Sequence, residues 1–233
     1  MSADDLADNP TIVEFGRSGG ANESDHFAHS NSYASGFLIT PSGATTDFPW
    51  SDASRLHPQV VNSRGTIAGE DSDALRILTN TSDTRINFNS NLVATAINES
   101  DNIACSYVND NRQDRTGLFT YIDGVLATYS APLDNRAGLR GTDINATNTV
   151  SGWARTTLAQ LNQGITLTSL ALTLTGDTFT YLPALHPSFD ALAFGLNNLG
   201  WVVGQNQDYL GGQAAVLWID GVPYNLNDLS LIH

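Results

Sequence analysis

The sequence predicts an all-β fold of five similar four-stranded antiparallel units, and three observations carry that prediction. A short phrase recurs five times. Each recurrence is followed by the same order of apolar stretches and turns, and no stretch carries the 3.6-residue apolar period of a helix. The phrase is clearest in Phe194–Gln205, "FGLNNLGWVVGQ", and returns in Thr95–Ser106, "TAINESDNIACS", and in Gly20–Ser30, "GANESDHFAHS". Aligned on their Asn, the copies fall at Asn22, Asn62, Asn98, Asn145 and Asn197, at intervals of 40, 36, 47 and 52 residues.

Each copy opens as a strand–turn–strand. The residue before the Asn is apolar: Ala21, Val61, Ile97, Ile144 or Leu196. Three residues after it stands Asp25, Gly65, Asp101, Asn148 or Gly200, the residue types that enter a left-handed conformation most readily. A tight hairpin needs that conformation, and the Asn side chain is expected to bond the turn backbone. Phe27, Ile67, Ile103, Val150 or Val202 then starts a second strand. A loop of variable length leads to a third apolar stretch ("SGFLIT", "ALRILT", "GLFTYI", "TSLALTL", "AAVLWI"), and a second turn and a fourth stretch close the unit.

Four short strands every 36–52 residues are the unit of a β-propeller blade. One such unit cannot bury both its faces alone, so neighbours must stack. The prediction is a single domain over 1–233, a five-bladed β-propeller with blades near 16–50, 56–88, 92–133, 139–185 and 191–229. An extra strand, Thr11–Phe15 ("TIVEF"), is expected to join the last blade and close the ring. A solenoid or an open β-sandwich is the competing architecture.

The repeat also resembles the HAF repeats, short units of mainly bacterial and archaeal extracellular proteins. Their pattern runs roughly I-N-x-x-G-x-V-x-G, then an apolar strand often ending in Leu-Trp, then x-G and Asp-Leu. The last copy matches best, with "LNNLGWVVG" and "AVLWIDGVPYNLNDL". The resemblance covers nearly the whole chain, although the other copies are degraded and none reads His-Ala-Phe at the third strand. It implies a propeller-like β fold and an extracellular or periplasmic location. It implies no activity, because repeats of this kind are scaffold.

Composition narrows the partners. The 233 residues carry 24 acidic and 10 basic side chains for a net charge of −14, and every basic one is Arg. Such a charge argues against nucleic acid or an anionic membrane as partner. No apolar run approaches the roughly 18 residues of a membrane span, and "MSADDLADNP" is no signal peptide as it stands. The lone Cys105 excludes an internal disulfide. A small-molecule or glycan ligand is the expected partner.

If the strands run from the inside of each blade outwards, the short turns share one face. The long second-to-third loops (Tyr107–Arg115, Ala154–Thr166, Gln205–Gln213) and the connectors between blades share the other. Variable loops on a rigid scaffold are where sites are usually built. Five residues before each Asn, where the inner strand enters from that face, stand Arg17, His57, Val93, Arg140 and Leu192. Seven residues after it, three copies keep Gly69, Gly152 and Gly204, while the others place His29 and Cys105 there. His186 lies in the fourth connector, and Trp153 and Tyr107 lie at strand ends near the same face.

These positions predict one asymmetric site. Arg17, His57 and Arg140 would stand around the mouth of the central channel, with His29 and His186 nearby, forming a positive well in a negative protein that favours a carboxylate or an acidic sugar. Trp153 and Tyr107 would supply an apolar platform, and Cys105 lines the same strand end. The bland alternative is that each Arg pairs with local Asp residues and each His is a solvated loop residue. The chemical alternative is a cofactor-independent lyase or cyclase in which His57 or His29 is the general base and Arg17 or Arg140 stabilises developing charge.

No phosphate-cradling, nucleophile-elbow or zinc-helix motif is present. His26 and His29 have a metal-like spacing, but on a strand an odd separation sends them to opposite faces. The acidic stretches "EDSD" (Glu70–Asp73) and "NDNRQD" (Asn109–Asp114) offer oxygens of the kind calcium takes, without a loop Gly or a closing Glu. No cofactor and no metal are expected.

Overall fold

The computed structural model describes residues 18–21, 27–31, 35–39, 45–48, 56–71, 74–79, 81–87, 92–108, 116–130, 138–155, 169–208 and 210–229. Among them are five four-stranded antiparallel sheets, each with its strands in chain order. The first comprises β1 (Ser18–Ala21), β2 (Phe27–Asn31), β3 (Ser35–Ile39) and β4 (Thr45–Phe48), described by its backbone pairing. Most side chains are described as well in the other four. The second comprises β5 (Leu56–Val61), β6 (Ile67–Asp71), β7 (Ala74–Leu78) and β8 (Asp83–Asn87). The third holds β9 (Leu92–Ile97), β10 (Ile103–Val108), β11 (Thr116–Ile122) and β12 (Val125–Tyr129). The fourth holds β13 (Leu139–Ile144), β14 (Val150–Arg155), β15 (Ser169–Thr175) and β16 (Thr178–Tyr181). The fifth holds β17 (Asp190–Leu196), β18 (Val202–Gln207), β19 (Gln213–Ile219) and β20 (Val222–Asn225).

The chain divides into two compact units, Met1–Asp101 and Asn102–His233, with the boundary inside the first turn of the third repeat. The expected strand Thr11–Phe15 lies outside the described residues. The sequence shows no helix, yet one turn of helix, α1 (Leu226–Leu229), follows β20. Its cause is local: the Asn225 side-chain oxygen accepts the Asn227 N–H at 3.0 Å, satisfying one of the donors a helix start leaves open.

Burial explains the strand order. The middle strands are covered on both faces: every residue of β7 is buried, and so are Val150, Ser151 and Gly152 of β14. The fourth strands β8, β12, β16 and β20 hold only exposed and half-buried residues, alternating in β8 and β20, and so form the outer edges.

The first turn of each repeat has one construction. The backbone N–H of Gly65, Asp101, Asn148 and Gly200 donates to the carbonyl of the repeat Asn three residues earlier, at 3.0–3.1 Å. Those four residues have φ of 80°, 63°, 62° and 80°, the left-handed region that their side chains tolerate. The Asn closes the turn from its side chain. Asn145 Oδ1 accepts the N–H groups of Thr147 and Thr149, each at 3.0 Å, and Asn197 Oδ1 accepts those of Leu199 and Trp201 at 2.9 and 3.0 Å. In "DG" the second turn has φ of 51° and 82° at Asp123 and Gly124, and 50° and 76° at Asp220 and Gly221, the two-residue hairpin geometry that favours this dipeptide.

Neighbouring repeats are joined by the same residue. Asn62 Nδ2 donates to the Asn98 carbonyl at 3.0 Å, and Asn145 Nδ2 donates to the Asn197 carbonyl at 3.2 Å. The first strands of the second, fourth and fifth sheets carry a register shift, at Pro58/Val60, Gly141/Asp143 and Ala193/Gly195. The residue set free by the shift reaches the next repeat in two of them: Gln59 Oε1 accepts the Ala94 N–H at 2.6 Å, and Thr142 Oγ1 donates to the Ala193 carbonyl at 3.0 Å.

Candidate functional site

The fourth sheet brings two expected site residues together. Arg140 pairs in register with Trp153 across β13 and β14, so both side chains stand on one face. Arg155, two residues along β14, shares that face, and its guanidinium carbon lies 5.9 Å from the centre of the Trp153 ring. Trp153 is half-buried, while Arg140 and Arg155 are exposed. Leu139, Ala154 and Leu172 bury the opposite face beneath them.

The local sequence holds this arrangement rigidly. A Cβ at Gly152 would lie 2.0 Å from the Arg140 carbonyl oxygen, so only glycine lets β14 approach β13 at this level. The Arg155 N–H donates to the Gly138 carbonyl at 2.7 Å and pins the strand ends together. Ser169, the register partner of Arg155, donates its N–H to Asp190 Oδ1 at 3.2 Å, tying the start of β15 to the start of β17.

His186 belongs to the connector that leads into β17. Its Nδ1 lies 2.7 Å from Ser188 Oγ and accepts the Ser188 N–H at 3.3 Å, and its ring is tilted against Phe189 with centres 5.3 Å apart. The Leu185 N–H donates to Asn206 Oδ1 at 2.6 Å and fastens the connector to β18. His186 is exposed, with Nδ1 engaged by Ser188. The end of β14, the start of β15 and this connector all lie at the end of their sheets opposite the Asn turns.

Chemically, the exposed Arg140 guanidinium beside a half-exposed indole offers bidentate bonds to a carboxylate and an apolar face for a ring. Among the described residues no carboxylate pairs with Arg140, whereas Arg64 is paired with Asp101, and Arg76 donates from Nε to Asp83 Oδ1 at 2.8 Å. Arg155 was missing from the residues expected at the site. The period of two along a strand from Trp153 is the signal that finds it.

The remaining expected residues are placed as follows. Arg17 lies outside the described residues. His29 is on β2, paired with Ser18 and Phe37, and His57 is on β5, paired with Glu70; only the backbone pairing of each is described. Tyr107 is on β10 opposite Gly117. Cys105 needs a correction. It is fully buried beside Ile103 and Ala104, and burial pushes its thiol up to about 12, so it is a core side chain and no ligand group. Among the described residues no group of three or more His, Cys, Asp or Glu is arranged to hold a metal ion. Asn109–Asp114 lies outside the described residues.

No protein-family model matches the chain, and no curated protein matches it in sequence, so the resemblance to HAF repeats rests on the motif alone. Solved structures are similar in fold. A TolB-like protein from Agrobacterium tumefaciens aligns over 90% of this chain and 79% of its own, with a TM-score of 0.56 and 10% identity. The β-propeller domain of the trilobed protease from Pyrococcus furiosus, described as having an open velcro topology, aligns over 89% of this chain and 66% of its own, with a TM-score of 0.57 and 10% identity. At that identity the likeness shows fold alone, and the fold it shows is the β-propeller.

Proposed function

We propose that the protein is a ligand-binding propeller of five blades, one for each four-stranded sheet, with a single asymmetric site at the long-loop end. The ligand is a carbohydrate or small molecule that bears a carboxylate. The observation that carries this reading is the row Arg140–Trp153–Arg155, two exposed cations flanking a half-buried indole in a chain of net charge −14. A positive spot in a negative field concentrates small anions and excludes large ones such as nucleic acid. The connector bearing His186 lies at the same end of its sheet and supplies a variable wall.

The test is a titration followed by tryptophan fluorescence, with uronic acids, neutral sugars and small carboxylates as probes. The acidic sugars are expected to give a saturable change that weakens as salt rises and disappears in Trp153→Phe. An equal response to neutral sugars, or none to any acid, would reject the reading.

A further inference from the structure

The face that carries Arg140 and Trp153 continues inward as apolar packing. Trp153 pairs in register with Ala171 on β15, which is 0% exposed. Ala171 packs with Leu182, Ala191, Ala193, Val216 and Trp218 in one core cluster of the fourth and fifth sheets. The half-buried indole therefore stands at the rim of an apolar seam.

The hydrogen-bonding groups of that seam are engaged with one another. Ser151, two residues from Trp153 on the same face, is 0% exposed, and its Oγ lies 3.1 Å from Thr142 Oγ1. Asn206 on β18 is buried, its Oδ1 accepting the Leu185 N–H at 2.6 Å and its Nδ2 donating to the Gln205 carbonyl at 3.2 Å. Trp218 Nε1 donates to the Pro183 carbonyl at 2.7 Å. At the strand start Ser169 is buried, and Asp190 Oδ1 holds its N–H. Arg155 lies against the indole. Among the described residues beside Trp153, that leaves the exposed Arg140 guanidinium as the polar group open to a ligand.

The sequence marks the same contrast. Eight residues after the repeat Asn the other copies carry Ser30, Glu70, Ser106 and Gln205, side chains that bond hydroxyl groups, and the fourth copy carries the indole. A hydroxylated ring laid on Trp153 would leave hydroxyls without protein partners, and each one withdrawn from water weakens binding. An apolar ring has no such groups and gains from the removal of its surface from water. Its carboxylate can still take the planar Arg140 fork in two parallel bonds.

We propose that the site at Arg140 and Trp153 takes a carboxylate borne on an apolar ring, aromatic or alicyclic, in preference to a sugar acid. The inference rests on reading this face as the ligand site, and it chooses among the ligands that reading allows.

Calorimetric titration of the full chain with benzoate, cyclohexanecarboxylate, glucuronate and benzyl alcohol is the test. Both apolar acids are expected to bind about tenfold more tightly than glucuronate, the effect of one hydrogen bond left unmade. Benzyl alcohol, which keeps the ring and lacks the charge, should bind more weakly than benzoate. Arg140→Gln should bring benzoate down to the level of the alcohol without moving the unfolding midpoint. Glucuronate bound as tightly as benzoate would overturn the inference and leave the site in place. Benzyl alcohol bound as tightly as benzoate, an Arg140→Gln chain that keeps its benzoate affinity, or no binding of any acid would remove the site and the inference with it.

Discussion

The side-chain amide of Asn145 donates to the backbone carbonyl of Asn197, fifty-two residues later, at 3.2 Å. The same Asn145 accepts two turn N–H groups at its other end, so one buried side chain both shapes its own hairpin and fastens the next. Asn62 and Asn98 repeat the relationship. The repeats are thus held by polar ties at the turn end as well as by apolar packing.

Asn145→Ala should lower stability by about 2–4 kcal/mol, since it leaves several buried or half-buried groups without partners. Asn145→Asp keeps the oxygen that closes the turn but sets a carboxylate oxygen against the Asn197 carbonyl in place of the amide donor, so its loss reports the tie to Asn197. Urea midpoints measure both, and an Asn145→Asp variant as stable as the unaltered protein would show that the tie to Asn197 contributes nothing.

Gly152→Ala and Gly204→Ala each place a Cβ 2.0 Å from a backbone oxygen, of Arg140 and Leu192 respectively. Backbone cannot yield as a flexible side chain does, so each change should cost about 3 kcal/mol or more. Gly211, with φ of 87° and open space around it, should cost less because only conformational strain opposes alanine there. Thermal unfolding of the three variants ranks them.

Arg140→Ala should leave stability within about 0.5 kcal/mol, as exposed substitutions do, while weakening an acidic ligand by about 1.5–3 kcal/mol through loss of a charged hydrogen bond. Arg155→Ala should do the same and also shift the Trp153 emission, because it removes the cation beside the ring. Unchanged affinity in both variants would move the site elsewhere.

Burial raises the Cys105 thiol from an ordinary 9.0 to about 12, so the folded state holds this proton more tightly than the unfolded state. The associated stability is fully present below pH 9 and is lost as pH rises toward 12. Cys105→Ala should flatten that alkaline decline. In the native protein the thiol should stay silent to a disulfide reagent at pH 8 and react only on unfolding.

The sequence by itself determined the order of strands and turns, the left-handed residue three after each Asn, and the capping of the turn by that Asn's oxygen. Each is a local matter: φ above zero restricts residue type, and a side chain two to four residues from an N–H has few other partners. Arg140 and Trp153 were legible because the repeat marks strand ends, and Arg155 follows from Trp153 by the period of two along the strand, but side-chain packing decides that its guanidinium lies beside the ring. Cys105 stood at a position that suggested the site, while its apolar neighbours Ile103 and Ala104 already pointed to a small buried side chain, and packing from neighbouring strands bears out the second reading. Tertiary structure alone decided where the Asn amides reach and which strands their ties join. Those depend on segments 36 to 52 residues apart meeting in a particular register, and loop lengths that vary from repeat to repeat erase that register from the sequence.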